Sequence, residues 1–128
     1  MPKTFLSDDA LDHEVLYQLM QHIGQQNAIE RRTLMERVYG LGLTVPADLD
    51  ANIFDRQVRR SIERLRHQGH LIANMGNGDG YYVISKLEEY QAFRAMYVSH
   101  AVPIMEAARQ MDREAERKWP NPAQPRML

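Results

Sequence analysis

Apolar side chains recur at helical spacing near the start of the chain and predict a first helix there. They fall on one face of a helix: Leu11, Val15, Leu16, Leu19, Met20 and Ile23. Ser7 and Asp8 precede this stripe as N-terminal signals, and Gly24 follows it as a stop. Residues 7–24 are therefore predicted to form a helix with one buried face.

A shorter amphipathic segment follows the first helix. Residues 25–27 are typical of a connector, and residues 28–30 fit either a short strand or a lead-in to the next helix. Thr33 is placed to cap a second helix that ends at Gly40. Residues 41–52 are rich in Gly, Pro, Asp and Asn, and this composition predicts a loop of about a dozen residues.

The most informative segment of the chain is a third predicted helix at residues 53–69. Its buried stripe has i, i+4 and i+7 spacing: Val58, Ile62 and Leu65. Asp55 is placed to cap its N-terminus and Gly69 to end it. One face of this helix is thus predicted to join the core, which leaves the other face open to a partner.

That open face of the third helix carries most of its charge. At 100° per residue, four side chains lie nearly opposite the buried stripe: Arg56, Arg60, Glu63 and His67. Arg59 and Arg66 lie on one flank, and Gln57 and Arg64 on the other. The planar fork of arginine can bind a phosphate or the O6 and N7 atoms of guanine, and glutamine can pair with adenine. The alternative interpretation is a charged face that only contacts solvent.

Two short β-prone segments come directly after the third helix. Residues 71–75 and 81–84 are mainly apolar, and the segment between them reads Gly76-Asn-Gly-Asp-Gly80. Glycine and asparagine tolerate the positive φ angles that a tight turn requires. The pattern predicts a β-hairpin, so the expected fold class is mainly α with a small β-hairpin, an α+β fold.

A long helical segment is predicted at residues 85–118. Ser85 with Glu88 forms a capping-box pattern, and Pro103 predicts a kink, or two abutting helices, near residues 98–102. Residues 7–84 are sufficient for one domain, so this segment needs a burial partner. A second copy of the chain would supply it through apolar side chains: Leu87, Tyr90, Phe93, Met96, Tyr97, Ile104, Met105 and Met111. The alternative is that the helix folds back on its own domain.

Composition limits the classes of protein that this chain can belong to. The 128 residues contain no cysteine, which excludes disulfides and thiolate chemistry. The formal net charge is −1, but residues 53–70 contain five arginines against two acidic residues. Nucleic-acid binding depends on the local charge of a surface, so the positive charge of this segment matters more than the net charge of the chain. We expect a short lead at residues 1–6 and a non-helical tail with three prolines at residues 119–128.

Other kinds of chemistry find little support in the sequence. The chain lacks a phosphate loop, a nucleophile elbow and a dinucleotide fingerprint, so we expect neither an enzyme nor a cofactor. His67 and His70 are the only close histidine pair, too few ligands for a metal site. Asp8, Asp9 and Asp12 complement the dipole of the first helix. The first residues lack the basic-then-apolar layout of a signal peptide, and the longest apolar runs are too short for a membrane span. We therefore expect a cytoplasmic protein without a membrane partner.

The order helix, helix, arginine-faced helix and Gly-tipped hairpin resembles the winged helix-turn-helix domains of small bacterial and phage proteins. The resemblance covers about residues 7–84 and is carried by Asp55 to Ile72 and by Gly80-Tyr-Tyr-Val83. It implies that the third helix reads DNA bases through Arg56, Gln57, Arg59, Arg60 and Arg64, with His67 beside them. It also implies contacts to the DNA backbone from Asn77, Gly78, and Arg31 or Arg32.

The expected function is sequence-preferring binding of double-stranded DNA by a homodimer, as a transcriptional regulator or a phage-type replication or packaging accessory. An alternative is a protein-interaction module in which the winged helix is a scaffold and the C-terminal helix binds a partner. A third interpretation, a ligand-responsive regulator, has no sensor domain to support it.

Overall fold

The computed structural model describes residues 6–40 and 52–120, and it is mainly helical with one small sheet. In chain order the elements are α1 (Asp8–Leu19), a 3₁₀ turn (Gln25–Asn27), α2 (Arg31–Tyr39), α3 (Ile53–His67), β1 (Ile72–Asn74), β2 (Tyr81–Val83), α4 (Leu87–Ser99) and α5 (Val102–Lys118). This confirms the predicted class, mainly α with a β-hairpin.

Contacts divide the chain into two compact units between Phe93 and Arg94. The first half of α4 therefore belongs to the first unit, whereas the sequence placed the domain boundary at residues 84 and 85. The core of the first unit is built from α1, α2, α3 and the hairpin. Its buried apolar side chains are Leu11, Val15, Leu19, Ile29, Leu34, Met35, Val38, Tyr39, Val58, Ile62, Leu65, Ile72 and Tyr81.

Helix α1 begins as predicted but ends earlier. The Ser7 hydroxyl accepts a hydrogen bond from the Ala10 amide at 3.3 Å, as expected of an N-cap. The helix ends at Leu19, and Met20 and Ile23, predicted to continue the buried stripe, are 51% and 45% exposed. The reason is tertiary: the backbone of residues 22–24 turns away to bond with Val83 at the edge of the hairpin.

In residues 28–30, where the sequence left open a short strand or a lead-in, Ile29 forms an isolated bridge to the hairpin. Ile29 and Tyr81 exchange two backbone hydrogen bonds of 2.9 Å in an antiparallel bridge. Helix α2 then begins at Arg31, two residues before the predicted Thr33 cap. Glu30 occupies the N-cap position without a side-chain hydrogen bond. The cap prediction was wrong because Thr33 lies inside the first turn of the helix.

Helix α3 also has a different N-cap from the one predicted. The side-chain oxygen of Asn52 accepts hydrogen bonds from the Phe54 and Asp55 amides at 2.8 and 3.3 Å. Asp55 is instead fully buried inside the first turn. The helix ends at His67, and Gly69, the predicted stop, follows the Gln68 C-cap with a φ of +96°. The His70 amide returns to the Leu65 carbonyl at 3.0 Å. The rest of the loop before Asn52 lies outside the described residues.

The predicted hairpin is confirmed. β1 and β2 pair in antiparallel fashion with Ile72 opposite Val83 and Asn74 opposite Tyr81. Two asparagine side chains stabilise the tip, since Asn74 accepts from the Gly76 amide at 2.8 Å and Asn77 from the Asp79 amide at 3.1 Å. Such side-chain bonds to the backbone two residues on are a common turn device.

The C-terminal segment is broken into two helices, as Pro103 predicted. α4 ends at Ser99 and α5 begins at Val102 with the proline in its first turn, where a missing N–H costs nothing. The predicted Ser85–Glu88 capping box was wrong by one residue, because Glu89 is the side chain that turns back to Ser85. Residues 121–128 of the predicted tail lie outside the described residues.

The carboxylate of Glu89 is buried and fully hydrogen-bonded. It accepts from the Gln25 amide at 2.8 Å and from the amide and hydroxyl of Ser85 at 2.7 and 3.0 Å. Burial alone would raise the pKa of Glu89, but these hydrogen bonds outweigh burial and hold it below the ordinary 4.5. The side chain thus ties the start of α4 to the 3₁₀ turn.

We therefore expect Glu89 to make stability depend on acid. Because its folded pKa is lowered, its contribution is complete above about pH 4.5 and is lost as the pH falls through the folded value. Glu89→Gln should lower the free energy of unfolding by about 1–2 kcal/mol at pH 7 and flatten the decline below pH 5. Urea titrations between pH 7 and 3 would measure this, and Glu88→Gln is the control. Equal acid sensitivity in all three proteins would contradict the expectation.

No helix within the described ranges is both long and apolar enough to cross a lipid bilayer.

Candidate nucleic-acid interface

The exposed face of α3 presents two arginines that no other described side chain neutralises. Arg56 and Arg60 lie one helical turn apart and both are exposed. Within residues 6–40 and 52–120, neither of them forms an ion pair or a side-chain hydrogen bond. His67 is exposed further along the helix, and Gln57 is half-buried on its flank. Two guanidinium groups are therefore available to a ligand.

Arg64 is half-buried and bound to α1. Its Nε and Nη2 atoms donate to the Asp12 carboxylate of α1 at 3.0 and 2.8 Å. Ser61 donates its hydroxyl to the same carboxylate at 2.6 Å. Burial opposes ionisation of Asp12, but these bonds and the charge of Arg64 lower its pKa, while the bond to Asp12 raises the pKa of Arg64. The base-contacting role expected of Arg64 would require this pair to open.

Arg66 also has an internal role. It donates to the Ile72 carbonyl at 2.9 Å and to Glu63 at 2.7 Å. Its guanidinium carbon lies 5.1 Å from the centre of the Phe93 ring, within the range of a cation–π contact. Arg66 thus joins α3 to β1 and to the first part of α4, and it partly neutralises the exposed carboxylate of Glu63.

Arg31 and Arg59 share one buried carboxylate. The Nε atom of Arg31 lies 3.3 Å from Asp55, and that of Arg59 lies 3.2 Å from it. Asp55 is fully buried, whereas the side chains of the two arginines are 32% and 42% exposed. The three groups carry a net positive charge at the junction of α2 and α3.

A cleft of about 450 Å³ adjoins this junction and separates α2 from the hairpin tip. Its lining combines cationic side chains with glycine backbone: Glu30, Arg31, Arg32, Asn74, Gly76, Gly78 and Gly80. Asn77 and Gly78 are exposed at the tip, and a Cβ atom added at Gly78 would meet nothing within 4 Å. Three of the residues predicted to contact the DNA backbone therefore line one cleft: Arg31, Arg32 and Gly78.

The residues expected to dimerise fall into different environments. Phe93 is 7% exposed and packs in the first unit beneath Arg66. Leu87 and Tyr90 are exposed in the same unit, and Met96 is half-buried in the second. α5 buries no side chain. Four of the predicted residues lie exposed in the second unit: Tyr97, Ile104, Met105 and Met111.

Sequence reasoning missed the acidic partners. Asp12 was assigned to the helix dipole and Asp55 to a cap, yet each binds arginine. The only local signal was the i, i+4 spacing of Asp55 and Arg59. Asp12 and Arg64 are 52 residues apart, so no local pattern could pair them.

His67 and His70 gather no further ligands, because the described ranges contain no group of three metal-binding side chains. Comparison with known proteins finds no matching family model, no matching curated protein and no matching solved structure.

Proposed function

We propose that this protein binds double-stranded DNA through the exposed face of α3, in the manner of a winged helix-turn-helix domain. The observation that carries the proposal is the pair Arg56 and Arg60, exposed one turn apart without an acidic partner in the described residues. Arg31 and Arg59 add positive charge beside them. The site therefore suits a polyanion.

The dimensions and chemistry of the site favour duplex DNA. A helix with its side chains is about 10–12 Å across, close to the roughly 12 Å width of the major groove. Arg56 and Arg60 would contact base edges, since the arginine fork matches guanine O6 and N7. The cleft beside the hairpin, with its glycine backbone and Arg32, would contact phosphates.

The decisive variant removes the arginine pair that carries the proposal. Arg56→Ala/Arg60→Ala should weaken binding to a duplex by at least about tenfold, because each arginine supplies a base or phosphate contact. Fluorescence anisotropy with a random-sequence 30-base-pair duplex at 50 and 150 mM salt would measure the loss. We expect wild-type binding to weaken as salt rises.

A matched control removes the same charge elsewhere. Arg109→Ala/Arg113→Ala substitutes two exposed arginines of α5 and should leave affinity within about twofold of wild type. If both double variants lose affinity equally, net charge alone drives binding and α3 is not the interface. The absence of salt-sensitive binding by wild type to any duplex in a random pool would reject the function itself.

We further propose that the DNA-binding form is a homodimer assembled through α5. Ile104 and Met111, seven residues apart, are 71% and 66% exposed, a degree of exposure unusual for large apolar side chains that recur along one helix face. A twofold dimer would present two α3 helices to successive major-groove segments. The biological role that fits is transcriptional regulation, or replication or packaging in a phage.

The same apolar face favours a second candidate, an interaction module that binds another protein. The variant Ile104→Glu/Met111→Glu tests both the homodimer and the interaction module. Its control is Gln110→Glu/Arg113→Glu, on the opposite face of α5. Sedimentation equilibrium should give a dimer for wild type and control and a monomer for the apolar-face variant. A wild-type monomer that does not bind DNA would favour the interaction module and contradict the dimer.

A further inference from the structure

The buried carboxylate of Asp55 is the least expected feature of the α2–α3 junction. A fully buried carboxylate costs several kcal/mol unless cations and hydrogen bonds compensate for the lost water. Here the compensation comes from two helices, since Arg31 begins α2 and Arg59 lies one turn beyond Asp55 on α3. An apolar residue at this position would avoid that cost, so a structural role alone is a weak explanation for the carboxylate.

Both arginines keep exposed side-chain surface beside Asp55. Each arginine approaches the carboxylate with its Nε atom, at 3.3 and 3.2 Å, to opposite oxygens Oδ1 and Oδ2. The side chains remain about one third and two fifths exposed, at 32% and 42%. An arginine held in an ion pair loses rotamer freedom before the ligand arrives, which lowers the entropic cost of binding.

We propose that Asp55 is a positioning residue that holds Arg31 and Arg59 as one two-armed phosphate-binding unit. The ligand is the phosphodiester backbone of the duplex, contacted by α2 and α3 together. This inference rests on the proposed function. It adds that a negative charge within the interface increases affinity for a negatively charged ligand.

The test asks whether removing the negative charge of Asp55 weakens or tightens DNA binding. Asp55→Asn removes a negative charge, so electrostatics alone would tighten binding to the random 30-base-pair duplex. Loss of positioning should instead weaken binding by about fivefold or more and reduce the salt slope by about one to two, because fewer phosphates are neutralised. Glu63→Gln removes an equal charge from the exposed face of the same helix and should leave affinity unchanged or raise it.

A second variant covers the case in which Asp55→Asn does not fold. Arg59→Lys keeps a cation beside Asp55 but lacks the planar fork of arginine, and it should also weaken binding by about fivefold at unchanged charge. All titrations are made below the melting temperature of each variant, as measured by circular dichroism.

The outcomes distinguish the positioning role of Asp55 from the proposed DNA binding on which it rests. If wild type binds the duplex in a salt-dependent manner and Asp55→Asn binds as tightly as Glu63→Gln, the positioning role is overturned while DNA binding stands. Unchanged affinity and salt slope in Arg59→Lys would also overturn it. Failure of wild type to bind any duplex would overturn both.

Discussion

Gly80→Ala should lower the free energy of unfolding by about 3 kcal/mol or more, the largest effect that we expect from one methyl group. Gly80 has a φ of +98°, and a Cβ atom built on it would lie 1.9 Å from the carbonyl oxygen of Ile29. That oxygen belongs to backbone and accepts the Tyr81 amide hydrogen bond, so it cannot move aside without breaking the bridge. Urea denaturation followed by circular dichroism would measure the loss.

Gly78→Ala is the matched control at the tip of the same hairpin. Gly78 has a similar φ of +91°, but nothing lies within 4 Å of its added Cβ. The control should therefore lose only the conformational cost of a left-handed residue, about 1–2 kcal/mol. Equal losses in the two variants would mean that the hairpin does not approach Ile29 as closely as the fold requires.

Arg64→Ala should lower the free energy of unfolding by about 2–3 kcal/mol, because it leaves the Asp12 carboxylate without its forked partner. Asp12 and Arg64 are 15% and 31% exposed, so water replaces the lost bonds only in part. Asp12→Ala should cost about as much. The double variant should be less destabilised than the sum of the two, with a coupling energy of about 1 kcal/mol or more.

The same variant tests the distinction between structural arginines and the arginines that we propose contact DNA. At a temperature where Arg64→Ala is folded, we expect its affinity for DNA to stay within about threefold of wild type, since the residue is engaged with α1. A folded Arg64→Ala that loses affinity as strongly as Arg60→Ala would show instead that Arg64 leaves Asp12 to contact DNA.

Local patterns in the sequence predicted most of the elements correctly. The i, i+4 and i+7 spacing of Val58, Ile62 and Leu65 identified the buried face of α3, and all three are buried. The glycine-rich segment identified the hairpin tip, and Pro103 identified the break between α4 and α5. Each of these signals depends on residues only a few positions apart, so the sequence alone was sufficient to predict the element.

The errors came from tertiary contacts. α1 ends at Leu19 because its following residues bond to Val83, far along the chain. Asp55 looked like a cap, but Asn52 caps α3, which leaves Asp55 to join Arg31 and Arg59. The sequence predicted an arginine-rich face, yet only folding separates the arginines that bind internal carboxylates from Arg56 and Arg60. The sequence pattern therefore predicted the arginine face of α3, and the structure shows which of its arginines bind internal carboxylates.

The most direct test of the central claim is a map of amide chemical-shift changes in the isotope-labelled protein on addition of a duplex. We predict that the changes concentrate on the exposed face of α3 around Arg56 and Arg60, on the start of α2, and on the hairpin tip at residues 76–80. Changes confined to residues 87–118, or no changes at saturating duplex, would contradict the assignment of α3 as a DNA-binding surface.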